Sequence, residues 1–63
     1  MKRYRLYTGP TLVQHVAQEL RSKGFEVLEG TENVYFNSNL EHDELYELLN
    51  LRGRFRYNDL WEQ

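Results

Sequence analysis

Two segments with the period of an amphipathic helix are interleaved with four short segments in which side chains alternate as in a strand. The helical segments are residues 11–23 and about 40–51. The strand-like segments are residues 3–8, 25–29, 33–37 and 54–57. Because a strand or an amphipathic helix buries only one side, this order requires the helices to share one core with the sheet.

Residues that start and stop helices mark the ends of both helical segments. Pro10 suits the first turn of the first helix, and Gly24 suits a left-handed stop after it. Ser38 and Glu41 have the spacing of a capping box, which predicts a second helix beginning near residues 39–41. Gly53 is the expected cap beyond the end of that helix.

The order strand, helix, strand, strand, helix, strand predicts an α+β fold of the split βαβ or ferredoxin-like type. In that βαββαβ arrangement, a four-stranded antiparallel sheet of order 4-1-3-2 carries two helices on one face. An alternative leaves residues 54–57 outside the sheet, which then has three strands. In either case we expect residues 1–63 to form a single small domain.

Composition narrows the class of protein. With 40% hydrophobic and 14% aromatic residues the chain can form a core, so intrinsic disorder is not expected. The absence of cysteine argues against a disulfide scaffold, thiol catalysis and a cysteine-based zinc site. No apolar run is long enough for a membrane span or a signal peptide, so we expect a soluble cytoplasmic protein.

Charge is strongly segregated although the net charge is only −2. Six of the eight basic residues lie in residues 2–5 and 52–56, whereas eight of the ten acidic residues lie between residues 19 and 47. Because the first and last strands are neighbours in the predicted sheet, the two basic segments are expected to form one cationic surface.

Side-chain parity divides the predicted sheet into two faces. The side that the helices cover is expected to receive Tyr4, Leu6, Phe25, Val27, Val34, Phe36, Phe55 and Tyr57. The uncovered side is expected to receive Arg3, Arg5, Tyr7, Tyr35, Arg54 and Arg56. Aromatic rings surrounded by guanidinium groups can stack on unpaired bases and neutralise phosphates. The sequence therefore predicts a small non-enzymatic module that binds single-stranded RNA or DNA.

Binding to a protein is the alternative interpretation. The same face, the strand edge at residues 25–29 or the acidic second helix would then contact a partner or a second copy in a homodimer. Trp61 is predicted to cover the edge or end of the core, with an exposed anchor for a partner as its alternative role. In size and charge the chain resembles the small inhibitors that bacteriophages make against host machinery, which implies a regulator or inhibitor.

The residues that could carry chemistry are few. His15 is expected on a solvent-facing side of the first helix, and His42 is expected to be partly buried and hydrogen-bonded. His42, Asp43 and Glu44 are consecutive, so their side chains diverge on a helix and do not converge on one metal ion. We therefore predict no catalytic site, no metal and no cofactor.

Overall fold

The computed structural model describes all 63 residues, which form an α+β fold with a four-stranded sheet and two helices. In chain order the elements are β1 (Lys2–Tyr7), α1 (Val13–Ser22), β2 (Val27–Glu29), β3 (Asn33–Ser38), α2 (His42–Leu48) and β4 (Leu60–Glu62). A 3-10 turn at Tyr57–Asp59 immediately precedes β4. The predicted α+β class, with an antiparallel four-stranded sheet and two helices, is confirmed.

The sheet has the order β2-β3-β1-β4, and every neighbouring pair is antiparallel. The central pair is the longest, with Lys2 opposite Ser38 and Tyr7 opposite Asn33. β2 pairs with β3 through a tight hairpin, and β4 pairs with β1 from Leu60 to Glu62. The first and last strands are therefore neighbours, as expected.

One face of the sheet and both helices enclose the core. The buried hydrophobic cluster comprises Tyr4, Leu6, Val13, Val16, Ala17, Leu20, Val27, Val34, Phe36, Leu45, Tyr46, Leu49, Leu51 and Leu60. The rings of Tyr4 and Phe36 stack at its centre, and Phe25 meets Phe36 edge to face. The core residues predicted from parity in β1, β2 and β3 are confirmed by their burial.

Both helices are shorter than predicted, and the second ends differently. Gly24 adopts a positive φ of 98°, which confirms the predicted left-handed stop after α1. The capping box of α2 pairs Glu41 with Glu44 instead of Ser38 with Glu41. Asn50, with φ 56°, takes the left-handed position beyond α2, so the predicted role of Gly53 as its cap was wrong.

The fourth strand lies six residues later than predicted. Residues 54–57 form no strand; they belong to the irregular connection and 3-10 turn that precede Leu60. Leu60 is fully buried, whereas Phe55 is only partly buried and Tyr57 is half exposed. Leu60 therefore supplies the core contact that the sequence assigned to Phe55 and Tyr57.

The position of β4 predicts that a substitution of Leu60 destabilises the fold more than a substitution of Phe55. Leu60→Ala should lower the free energy of unfolding by about 2–5 kcal/mol, the usual loss for a fully buried leucine. Phe55→Ala should cost less because its ring is only partly buried. Urea unfolding followed by circular dichroism gives both values, and a larger loss in Phe55→Ala would contradict the strand assignment.

Candidate functional site

The candidate site is the face of the sheet that the helices leave uncovered, here called the open face. It carries Arg3, Arg5 and Tyr7 from β1, Leu28 from β2, Asn33, Tyr35 and Asn37 from β3, and Trp61 from β4. The alternation that buries Tyr4 and Leu6 turns the neighbouring residues of β1 outward. Arg3, Arg5, Tyr7 and Tyr35 therefore lie where the sequence placed them.

One row of side chains crosses all four strands of the open face. The register places Leu28 opposite Tyr35, Tyr35 opposite Arg5, and Arg5 opposite Trp61. Adjacent strands are about 4.8 Å apart, so Tyr35 and Trp61 stand about 10 Å apart with Arg5 between them. Leu28 is 62% exposed and Trp61 50% exposed, so both ends of the row reach solvent.

The two arginines of the open face pack on aromatic rings. The guanidinium carbon of Arg5 lies 3.8 Å from the centre of the Trp61 ring, and that of Arg3 lies 5.8 Å from the centre of Tyr35. Neither arginine forms an ion pair, whereas Lys2, Arg21, Arg52 and Arg54 are each bound by a carboxylate. The open face thus has two cations whose charge no carboxylate neutralises.

Arg54 lies away from the open face, contrary to the prediction. Both of its terminal nitrogens donate to the Glu19 carboxylate on α1, each at 2.8 Å. This bond lowers the pKa of Glu19 and raises the pKa of Arg54. The prediction was wrong because residues 54–57 are not a strand, so their parity does not point side chains to the sheet surface.

Arg56 was also predicted on the open face, and this prediction was wrong for the same reason. It precedes the 3-10 turn, where its backbone N–H donates to the Asp59 carboxylate at 2.9 Å. Its side chain forms no ion pair and lies on no strand. Only two of the four predicted site arginines therefore belong to the open face.

Trp61 is the aromatic residue of the open face that side-chain parity in the sequence did not predict. Its place follows from the alternation of Leu60 inward and Trp61 outward in a strand of three residues. Such a strand is too short for period two to be recognised in the sequence. The only sequence signal for this strand is Trp61 itself, a residue type that is enriched in strands.

On each edge strand of the sheet, a side chain is hydrogen-bonded to one backbone carbonyl group that faces away from the neighbouring strand. Arg21 donates to the Val27 carbonyl of β2 at 2.8 Å and also to Glu29, while His42 Nε2 donates to the Leu60 carbonyl of β4. Such contacts hinder the addition of a further strand at an edge. They therefore weigh against the predicted use of the edge at residues 25–29 as a docking site.

His42 joins α2 to the end of the chain. Its ring is 23% exposed and lies 4.2 Å from the ring of Tyr57, centre to centre. Tyr57 in turn donates its hydroxyl to Asp43, and this bond raises the pKa of Tyr57. Partial burial and a hydrogen bond confirm the expectation for His42, and His15 is exposed on α1 as predicted.

The acidic residues of α2 are mostly engaged within the molecule. Glu41 binds Lys2, Glu47 binds Arg52, and Glu44 closes the capping box. No group of three or more His, Asp or Glu side chains is arranged to hold a metal ion. The acid-rich helix is thus accounted for by contacts that stabilise the fold.

Comparison with protein-family models, curated proteins and solved structures finds no match for this chain. Neither helix has the length and apolar character needed to cross a membrane.

The ion pair of Arg54 predicts a pH dependence of stability. A carboxyl whose pKa is lowered by folding stabilises the fold above its ordinary value of 4.5, and this contribution is lost as the pH falls through the folded value. Both side chains are about one third exposed, so Arg54→Gln should cost no more than about 1 kcal/mol at pH 7 and less at pH 3. Urea unfolding at the two pH values measures the difference.

Arg56→Gln is the matched control, because the Arg56 side chain has no carboxylate partner. Its effect on stability should be the same at both pH values. An equal loss at pH 7 and pH 3 in Arg54→Gln would contradict the assigned pair.

The hydrogen bond from His42 to the Leu60 carbonyl predicts that β4 opens more often when His42 is removed. His42→Ala removes a donor to the Leu60 carbonyl, so the Trp61 backbone amide should exchange with solvent between about twofold and tenfold faster. His15→Ala, at an exposed position of α1, should leave that rate unchanged. Amide exchange followed by NMR tests both, and equal rates in the two variants would contradict the role of His42.

Proposed function

We propose that the open face binds single-stranded nucleic acid without catalysing a reaction. The observation that carries this proposal is the pair Arg3 and Arg5, which lie on an uncovered sheet face beside Tyr35 and Trp61 and have no carboxylate partner. Aromatic rings that accept bases and cations that accept phosphates are the two components that such binding needs.

Stacking supplies the larger part of the proposed affinity. Tyr35 and Trp61 are held by strand pairing on both sides of Arg5, so their rings are placed before a ligand arrives. Gly30 in the β2–β3 hairpin leaves room for the Tyr35 ring, since a Cβ there would lie 3.0 Å from the ring. Each stacked base contributes about 1–3 kcal/mol in known complexes.

Carboxylates at the ends of the open face limit the positions at which phosphates can bind. Glu26 lines a shallow cleft beside Arg3 and Tyr35, and Glu32 and Asp59 line another beside Arg5 and Trp61. The phosphates of a strand would therefore favour the middle of the face, beside the two arginines. We infer a short binding site that neutralises about two phosphates.

We also infer that the chain has the split βαβ, ferredoxin-like topology. The strand order reads β4-β1-β3-β2 from the last strand, and α1 and α2 contribute to the same core, which supports this assignment. Single-strand binding through an uncovered sheet is a known use of four-stranded sheets backed by helices.

Protein binding through the same face is the second candidate. The observation that favours it is Leu28, a largely exposed apolar side chain in the row with Tyr35, Arg5 and Trp61. Tryptophan, tyrosine and arginine dominate the energies of many protein interfaces. A regulator or inhibitor, a homodimer, the absence of a cofactor and a cytoplasmic location stay predictions from the sequence.

Titration with short oligonucleotides tests the proposed function. Fluorescein-labelled single-stranded RNA and DNA of eight nucleotides should bind more tightly than a duplex. Binding should quench the fluorescence of Trp61, the single tryptophan. For two phosphates, log K should fall with log salt with a slope of about −1.4. Arg5→Gln should reduce that slope to about −0.7, while Tyr35→Ala should weaken binding about fivefold or more at an unchanged slope.

Arg52→Gln is the matched control, because Arg52 lies beyond α2 and binds Glu47. It should alter neither affinity nor slope. If no oligonucleotide binds at low salt, or if Arg52→Gln weakens binding as much as Arg5→Gln does, the open face is not a nucleic-acid site. A search for a protein partner with Leu28 and Trp61 as contacts would then follow.

A further inference from the structure

A cleft of about 310 Å³ opens at one end of the open face, beside Trp61. Tyr7 and Trp61 supply its aromatic wall, and Arg5 lies between them and the middle of the sheet. The rest of its lining comes from the β2–β3 hairpin and the 3-10 turn: two carboxylates, Glu32 and Asp59, and two amides, Asn33 and Asn58. Ligand pockets begin at about this volume.

Two groups of this lining, the Glu32 and Asp59 carboxylates, can only accept hydrogen bonds. The Glu32 side chain forms no hydrogen bond or ion pair, although its backbone carbonyl accepts the amides of Thr8 and Gly9 at 2.9 and 3.1 Å and so fixes the hairpin. Asp59 uses one carboxylate oxygen for the Arg56 amide, which leaves the other available. A ligand that fits must therefore be planar, to stack on Trp61, and must present donors to a carboxylate.

We propose that this cleft binds a guanine base of the single strand, an inference that rests on the proposed function. Guanine carries two adjacent donors, N1–H and the N2 amino group, which match the two free oxygens of the Glu32 carboxylate. Adenine and cytosine place an acceptor beside their single amino group, and uracil has one donor between two carbonyls. Each of these meets a carboxylate with at least one repulsive contact.

Uridine pentamers with guanosine, adenosine or inosine at the central position test the inference. Inosine keeps N1–H and lacks the N2 amino group, so it isolates one of the two donors. The guanosine pentamer should bind about tenfold more tightly than the inosine pentamer, the effect of one charge-assisted hydrogen bond, and should exceed the adenosine pentamer by more, because adenine lacks both donors. In Glu32→Gln this preference should fall to about threefold or less, while binding of the adenosine pentamer persists.

Glu26→Gln is the matched control, because it removes the same charge beside Arg3 at the other end of the open face. It should strengthen all three pentamers equally and leave the guanine preference intact. Equal binding of the three pentamers by the unaltered protein would overturn the guanine site and leave the proposed function standing. A preference that survives Glu32→Gln would also overturn it, and no binding of any pentamer would reject both proposals.

Discussion

The alternation of side chains along β1 is the constraint on which both the core and the open face depend. β1 is a central strand, hydrogen-bonded to β3 on one side and to β4 on the other, so its residues cannot rotate or slip independently. A shift by one residue would bury Arg3 and Arg5 and expose Tyr4 and Leu6. The hydrophobic cost of that exchange fixes the register, and the same register arranges the row of Tyr35, Arg5 and Trp61.

The connection from α2 to β4 is held by side chains more than by regular backbone pairing. Leu51 is buried, Tyr46 donates its hydroxyl to the Phe55 carbonyl at 2.5 Å, and Arg54 binds Glu19 on α1. These contacts bring the last residues back to β1, where Leu60 enters the core and Trp61 enters the open face. Since Trp61 belongs to the open face only while β4 is paired, the integrity of the site depends on the end of the chain being docked.

Local patterns predicted the elements that are long enough to show a period. β1, β3 and α1 each span at least six residues, and their buried faces follow directly from Tyr4 and Leu6, Val34 and Phe36, and the apolar residues of α1. Four of the six predicted binding residues lie on the open face for the same reason, although their binding role remains a prediction. The fourth strand could not be placed this way, because Phe55 and Tyr57 alternate with arginines, whereas the three residues Leu60–Glu62 are too few to show a period. Pairing with a strand more than fifty residues away, and the bond from Arg54 to Glu19, decide between them, and neither is a local property.

The basic segments at residues 2–5 and 52–56 do not form one cationic surface, because residues 54–57 lie outside the sheet and charge pairing leaves only Arg3 and Arg5 unpaired on the open face. Carboxylates engage Lys2, Arg21, Arg52 and Arg54, and the Glu47–Arg52 and Glu19–Arg54 pairs lie on the helices and the connection that follows them. Arg3 and Arg5 lie instead over aromatic rings, which hold a guanidinium in place without neutralising it. Glu26, Glu32 and Asp59 line the clefts at the two ends of the same face, so the two unpaired arginines have carboxylates on either side of them. Under the proposed function, the phosphates of a short single strand would lie beside Arg3 and Arg5 at the middle of this face, and its bases would lie toward the ends.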